Sequence, residues 1–188
     1  MITEKIGSYS LLVQGFRDAR VTDSEKVLRE LRESFQGIDL QLLRADRVAG
    51  KEQIIFAARN AIDSFQSKAR RAKHLSMEFL LFASGEHQIL EAIKLLGVTT
   101  SSRELALVAL SDTRLDSNRL GNRAMESVKG IPDDTVLQIK TRKKAEDLKR
   151  AYNIPDKELY ASKMPTEDDD NVLKRLIVER SALLALEN

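Results

Sequence analysis

The stretch from Arg44 to Gly97 constrains the fold more than any other part of this chain. It reads as a strand end, an amphipathic helix opening at Gly50-Lys51, an apolar run, and a helix closing at Gly97-Val98. From Lys51 to about Gln66, the residues Ile54, Ala58, Ala61, Ile62 and Phe65 share one helical face. Ala57, Ala58 and Ala61 keep that helix slender, so a neighbour can pack close. Leu75 to Ala83 is nearly all apolar, and periodicity there does not separate helix from strand. Ser84-Gly85 breaks the run. Ile89, Ile93 and Leu96 then define a helix ending at Gly97, with Gly97 as a left-handed cap and Val98 as its apolar contact.

The flanking segments alternate strands and helices. Tyr9 to Phe16 reads as a buried strand with Gly15 as a candidate bulge. Thr22-Asp23-Ser24-Glu25 is a capping box with Thr22 as the cap, followed by the face Val27, Leu28, Leu31 and Phe35. Ile38 to Arg44 and Leu105 to Leu110 read as further strands, and Val136 to Ile139 as a short one. Arg119 to Val128 reads as a helix, and Ala145, Leu148 and Tyr152 place another before Pro155. A last helix follows Pro165-Thr166, with an acidic first turn and a wide stripe of Val172, Leu173, Leu176, Ile177, Leu183 and Leu184. The expected fold is mixed α/β (α+β): a small central sheet of three to five strands flanked by helices. Residues 1–162 form the domain, and residues 163–188 are a helix docked on it or on a partner.

Composition narrows the function classes. With 188 residues the chain can bury a sizeable core. It has no cysteine, hence no disulfide, thiolate metal site or cysteine nucleophile. No segment approaches the ~18 apolar residues of a membrane span, and no signal-type core follows the first residues. A cytoplasmic protein is expected. The net charge of +2 conceals an uneven distribution. Between Arg44 and His74 eight basic residues face three acidic ones, and Lys140 to Arg150 forms a second basic block.

The motifs of catalysis are absent or incomplete. Gly50-Lys51 suggests a phosphate loop, but Ala45 stands where the first glycine belongs and Glu52 replaces the Ser or Thr. The glycines lack dinucleotide spacing, and no Gly-x-Ser-x-Gly elbow exists. His74 and His87 are the only imidazoles and are not spaced as helical zinc ligands. Glu78, inside the apolar run, suits either a general base of raised pKa or a carboxylate paired with Lys73 or Arg71 or capping an amide. Asp168-Asp169-Asp170 is explained by the helix start. No catalytic residue, metal, cofactor or small-molecule substrate is expected. The best functional candidate is the basic helix with Lys68-Ala69-Arg70-Arg71-Ala72-Lys73-His74. It offers mobile cations near the amides of a helix start, as phosphate recognition requires.

These pieces, in this order, resemble the small kinase-binding subunit of the KEOPS (EKC) complex, the PRPK-binding protein family of archaeal type. The likeness rests on Ala45-Asp46-Arg47-Val48-Ala49-Gly50 before the Ala-rich helix, and on Leu75-Ser76-Met77-Glu78-Phe79-Leu80-Leu81-Phe82-Ala83-Ser84-Gly85. It continues in His87-Gln88-Ile89-Leu90-Glu91-Ala92-Ile93 and Gly97-Val98. It ends in Tyr152-Asn153-Ile154, Glu158-Leu159 and Leu176-Ile177-Val178-Glu179-Arg180-Ser181-Ala182-Leu183-Leu184. Gln53 stands where the family has histidine, and His87 where arginine is common. The resemblance implies a non-catalytic regulatory subunit in tRNA threonylcarbamoyladenosine modification. Such a subunit binds the complex's small atypical kinase/ATPase and recruits tRNA through its CCA end.

On that reading Lys51, Arg59, Lys68, Arg70, Arg71, Lys73, His74 and His87 meet the tRNA acceptor end. Leu173, Leu176, Ile177, Arg180 and Leu184 meet the kinase, or else complete the chain's own core. Two rivals remain open: a small hydrolase or transferase using His74, His87 and Glu78, and a protein-only scaffold whose basic face meets an acidic partner.

Overall fold

The computed structural model describes residues 1–67 and 70–186. Four strands lie side by side in the order β1 (Ile2–Ile6), β2 (Tyr9–Arg17), β4 (Leu105–Ser111), β3 (Asp39–Arg44), every pair antiparallel. A two-residue strand, β5 (Ile131–Pro132), adds to the end of β2. This is the small mixed α/β sheet that the sequence implies. The central strand β4 is buried on both faces, because helices cover both.

Period-two alternation sorts the core. Leu12, Phe16, Leu40, Leu42, Leu105, Leu107 and Ala109 point to one face, against α1 (Ser24–Ser34) and α5 (Ser117–Val128). Leu11, Val13, Leu43, Ala106, Val108 and Leu110 point to the other. They pack there on α2 (Lys51–Gln66), α3 (Leu75–Ser84) and α4 (Ile89–Leu96). A third cluster joins α6 (Arg142–Ala151), α7 (Asp156–Ser162) and α8 (Asp169–Leu186). The apolar run Leu75–Ala83 is a helix, and both its faces are occupied, by the sheet and by α2 and α8. That double burial explains its lack of a polar face.

Several local expectations are corrected. Gly15 makes no bulge: its register with Ala106 is continuous with its neighbours'. A side chain there would instead lie 2.9 Å from Val136 Cγ2, because the turn Asp134–Leu137 packs directly on the strand. That turn is a 3-10 helix rather than a strand. Asp23, not Thr22, caps α1, accepting from the Lys26 amide at 2.9 Å. Such a cap contributes about 1 kcal/mol. The last helix starts at Asp169, four residues beyond Pro165, because Asp168 accepts the Asn171 amide at 2.8 Å. Gly97 is not left-handed (φ −66°). The left-handed cap is Gly85 at φ +70°, whose amide donates to Leu81 O at 2.9 Å.

Candidate nucleic-acid interface

Helices α2 and α3 form an antiparallel hairpin, and its corner is held by one buried amide. Gln53 Oε1 accepts from the Ala49 amide at 2.8 Å, and Gln53 Nε2 donates to Ala83 O and to the Tyr152 hydroxyl, each at 2.7 Å. The Tyr152 hydroxyl in turn donates to Arg47 O at 3.0 Å. Four segments are thereby tied at the start of α2. Gly50 takes φ +146°, a conformation that favours glycine, and a side chain there would lie 2.8 Å from Glu52 Oε2. The Ala49 amide is already bonded and a carboxylate covers the corner. This helix start is therefore a poor phosphate cradle, contrary to the sequence expectation.

The other end of the hairpin is held by Glu78. Its carboxylate is fully buried and accepts from Ser64 Oγ at 2.8 Å, from the Arg71 amide at 2.9 Å and from the Ala72 amide at 2.7 Å. Three donors satisfy one buried charge, and the result fixes the polypeptide that enters α3. Glu78 is thus the amide-capping carboxylate that the sequence allowed, with no opening to a substrate.

The expected RNA-contacting residues are spread along this hairpin. Lys51 is exposed at the start of α2, and Arg59 is exposed near its middle. Arg70 is exposed and stacks its guanidinium 4.8 Å from the Phe65 ring centre. Lys73 and His74 are exposed where α3 begins, and His87 is exposed beyond its end. Lys68 lies outside the described residues. Among the described residues, Lys51, Arg59, Arg70 and Lys73 form no ion pair with a carboxylate. At 1.5 Å per residue the 16-residue α2 spans about 24 Å, so these cations form a strip rather than a pocket.

Arg71 differs from its neighbours. Its Nη2 donates to Leu184 O at 2.8 Å, and its guanidinium lies 5.9 Å from the Phe82 ring centre. It is half-buried and pins α8 to the start of α3.

All of the C-terminal stripe except Leu183, which is 51 % exposed, lies in the interior. Leu173, Leu176 and Ile177 are buried among Leu148, Tyr152, Ile154 and Leu159, and Leu184 joins the α2–α3 core. Arg180 forks onto both Glu158 carboxylate oxygens at 2.7 and 2.9 Å. The stripe completes the chain's own core, and α8 docks on α2, α3, α6 and α7. An exposed apolar face lies on α4, where Ile89, Leu90 and Ile93 are 38, 70 and 44 % exposed while Ala92 and Leu96 are buried. A helix reading Ile-Leu-Glu-Ala-Ile-Lys-Leu-Leu has more apolar residues than one buried face can take, and that surplus was the available signal.

The groups of the enzymatic rival do not converge. His74 and His87 flank opposite ends of the ten-residue α3, about 15 Å apart along its axis, with Glu78 sealed between. His74 borders a recess of about 330 Å³ with Arg32, Phe35, Ile38 and Asp39, away from His87. Among the described residues no three His, Cys, Asp or Glu side chains are placed to hold a metal ion, and no helix is long and apolar enough to cross a membrane.

Comparison with known proteins identifies the family. The family model described as kinase binding protein CGI-121 matches residues 18–185. Regulatory protein Cgi121 of Methanocaldococcus jannaschii is 30 % identical over 129 residues, covering 69 % of this chain and 75 % of that protein. Matched along nearly its whole length, hairpin and C-terminal helix included, the chain belongs to the CGI-121 family of kinase-binding proteins.

Proposed function

We propose that this chain is a non-catalytic regulatory subunit of a KEOPS-type tRNA threonylcarbamoyladenosine machine. It binds the small atypical kinase/ATPase and holds the acceptor end of tRNA. The observation that carries the RNA half is the strip Lys51, Arg59, Arg70 and Lys73, whose cations are exposed and unpaired among the described residues. Surface cations that make no ion pair among the described residues, spread over ~24 Å, suit a polyanion that follows the helix rather than a small ligand. Arg70, stacked on Phe65, presents a guanidinium plane on which an unpaired base can lie.

The kinase half rests on the family's kinase-binding character and on an exposed apolar surface. The stripe first expected there is internal, so the contact falls to α4 through Ile89, Leu90 and Ile93. No observation favours the hydrolase reading, since its three groups are separated.

The test measures binding of tRNA with and without its CCA end across a salt series. Neutralising several phosphates gives a steep fall of log affinity with log salt. A flat response, or equal affinity for the truncated tRNA, removes the RNA half. Retention of the kinase by an Arg70→Glu, Lys73→Glu variant that has lost RNA separates two surfaces. Loss of the kinase alone instead supports the protein-only scaffold.

A further inference from the structure

The second basic block, Lys140 to Arg150, takes no part in the hairpin strip. Thr141 caps α6 by accepting the Lys144 amide at 3.1 Å, so three cations, Arg142, Lys143 and Lys144, occupy the first turn. Cations are unfavourable at that end of a helix dipole, and nothing acidic stands in that turn to offset them. Lys140 and Lys143 are exposed and make no ion pair among the described residues. Lys144 turns inward, and its Nζ donates to Val136 O at 2.6 Å. It lines a cavity of about 460 Å³ between α6, the turn Asp134–Leu137, Asp46 and Glu104, with Arg17, Lys140 and Lys143 along the wall.

We propose that Lys144 is an acylation site, accepting the acyl group of a small acyl phosphate that enters this cavity, with Lys140 and Lys143 holding the phosphate. In the step, the lone pair of the neutral amine attacks the acyl carbonyl carbon. The bond from that carbon to the bridging oxygen breaks, and its electron pair leaves on phosphate. The nitrogen then gives up a proton to water. The products are an amide on Lys144 and free phosphate.

Three features make this amine unlike the chain's other lysines. Val136 O orients it through one N–H, leaving the nitrogen at the wall of a cavity large enough for a two-carbon acyl phosphate. Lys140 and Lys143 are the lining cations free of ion pairs among the described residues, available to the phosphate although Asp46, Glu104, Asp133 and Asp147 share the lining. Burial pushes the Lys144 ammonium down to about 8, while Glu104 and Asp46 oppose the fall. At pH 7.5 about a quarter of such amines are neutral, against about one in a thousand for an ordinary lysine. The other charged groups facing the cavity are Arg17 and Asp133 from the β2 side and Asp147 from α6. Arg17 is paired with Asp18 and Asp133, and Asp147 with Arg150.

The probe is acetyl phosphate, incubated with the intact protein at pH 7.5, followed by digestion and mass-spectrometric occupancy at each lysine. Lys149 and Lys163 are internal references. Asp156 and Glu146 hold the first above its ordinary pKa, and Asp169 the second. Lys144 is expected to react at least about tenfold faster than either, with a rate that levels off above pH 9. Equal or slower labelling of Lys144 overturns the proposal, as does a rate still climbing at pH 10. A Lys140→Ala, Lys143→Ala variant is expected to lose about fivefold in labelling by acetyl phosphate but none by an uncharged acetyl ester. Equal labelling of variant and parent by acetyl phosphate overturns the phosphate-holding role.

Discussion

The Glu78 carboxylate, without any solvent exposure, accepts the Ala72 amide at 2.7 Å. With the Arg71 amide on the same Oε2 and the Ser64 hydroxyl on Oε1, the carboxylate closes the connection between α2 and α3. Glu78→Leu keeps much of the bulk but leaves the Arg71 and Ala72 amides and the Ser64 hydroxyl without their acceptor. We expect a loss of roughly 2–3 kcal/mol by urea denaturation, since a buried amide left unpaired costs about its desolvation penalty. If the strip binds tRNA, RNA affinity should fall as well, although Glu78 touches no ligand, because the positions of Arg70 and Lys73 depend on this closure. An unchanged urea midpoint contradicts the account.

Much of this hairpin was legible from residue order. The Ala-rich face of α2 and the turn chemistry of Ser84-Gly85 follow from local rules, as do the alternation of β3 and the full burial of β4. What sequence leaves open is which of two apolar faces a helix buries. In α4 the choice fell on Ala92 and Leu96, because small Ala92 lets the helix approach α3, and that leaves Ile89 and Ile93 outside. Likewise nothing local separates Arg70 from Arg71. One faces solvent and the other bonds a carbonyl 113 positions away. Non-local partners decide both cases.

The α4 face gives a contrast between two aspartate substitutions. Ile93→Asp adds a charge at a position already 44 % exposed, so stability should change by no more than about 0.5 kcal/mol. Leu176→Asp buries an unpaired carboxylate at a position 3 % exposed and should abolish folding or cost at least about 4 kcal/mol. If α4 meets the kinase, Ile93→Asp weakens that complex about tenfold or more while circular dichroism is unchanged. A folded Ile93→Asp protein with full kinase affinity moves the interface elsewhere.

Tyr152 and Lys144 give the stability opposite dependences on alkaline pH. Burial holds the Lys144 ammonium at about 8 in the folded chain, against 10.5 as its ordinary value. Between those values the unfolded chain carries the extra proton, so stability rises with pH, by about 2 kcal/mol after allowance for partial exposure. Burial pushes the Tyr152 hydroxyl well above its ordinary 10.0, so above pH 10 the folded chain keeps a proton that the unfolded chain loses. Stability then falls. Lys144→Met should flatten the rise between pH 8 and 10, and Tyr152→Phe should remove part of the fall above 10. Denaturant midpoints taken at half-unit pH intervals measure both.

Gly85 and Gly37 separate backbone strain from packing. Both have positive φ, +70° and +78°. Around Gly37 a side chain would meet nothing within 4 Å, whereas at Gly85 it would lie 3.0 Å from Arg180 Cβ on α8. Gly37→Ala should therefore cost about 1 kcal/mol from backbone alone. Gly85→Ala adds the displacement of α8 and a loosened Arg180–Glu158 fork, for roughly 2–3 kcal/mol in all. Equal losses at the two sites would mean that α8 yields freely at its contact with the α3 cap.

Arg70 and Arg71, adjacent in sequence, should behave as residues of different kinds. Arg70→Glu reverses an exposed charge that stacks on the Phe65 ring, so its cost in stability should stay near 0.5 kcal/mol or below. If the strip binds tRNA, the same change lowers affinity and reduces the salt slope by about one or more. Arg71→Glu takes a cation from the Leu184 carbonyl and places a second carboxylate beside the buried Glu78 segment. It should cost at least about 2 kcal/mol and loosen the C-terminal end of α8, measurable as faster amide exchange around Leu184. Arg71→Lys should recover only part of this. A single ammonium can reach the carbonyl, but it does not reproduce the guanidinium plane over Phe82. Comparable RNA losses with unchanged melting for both variants would show that Arg71 works on the surface, and would undo the separation of roles.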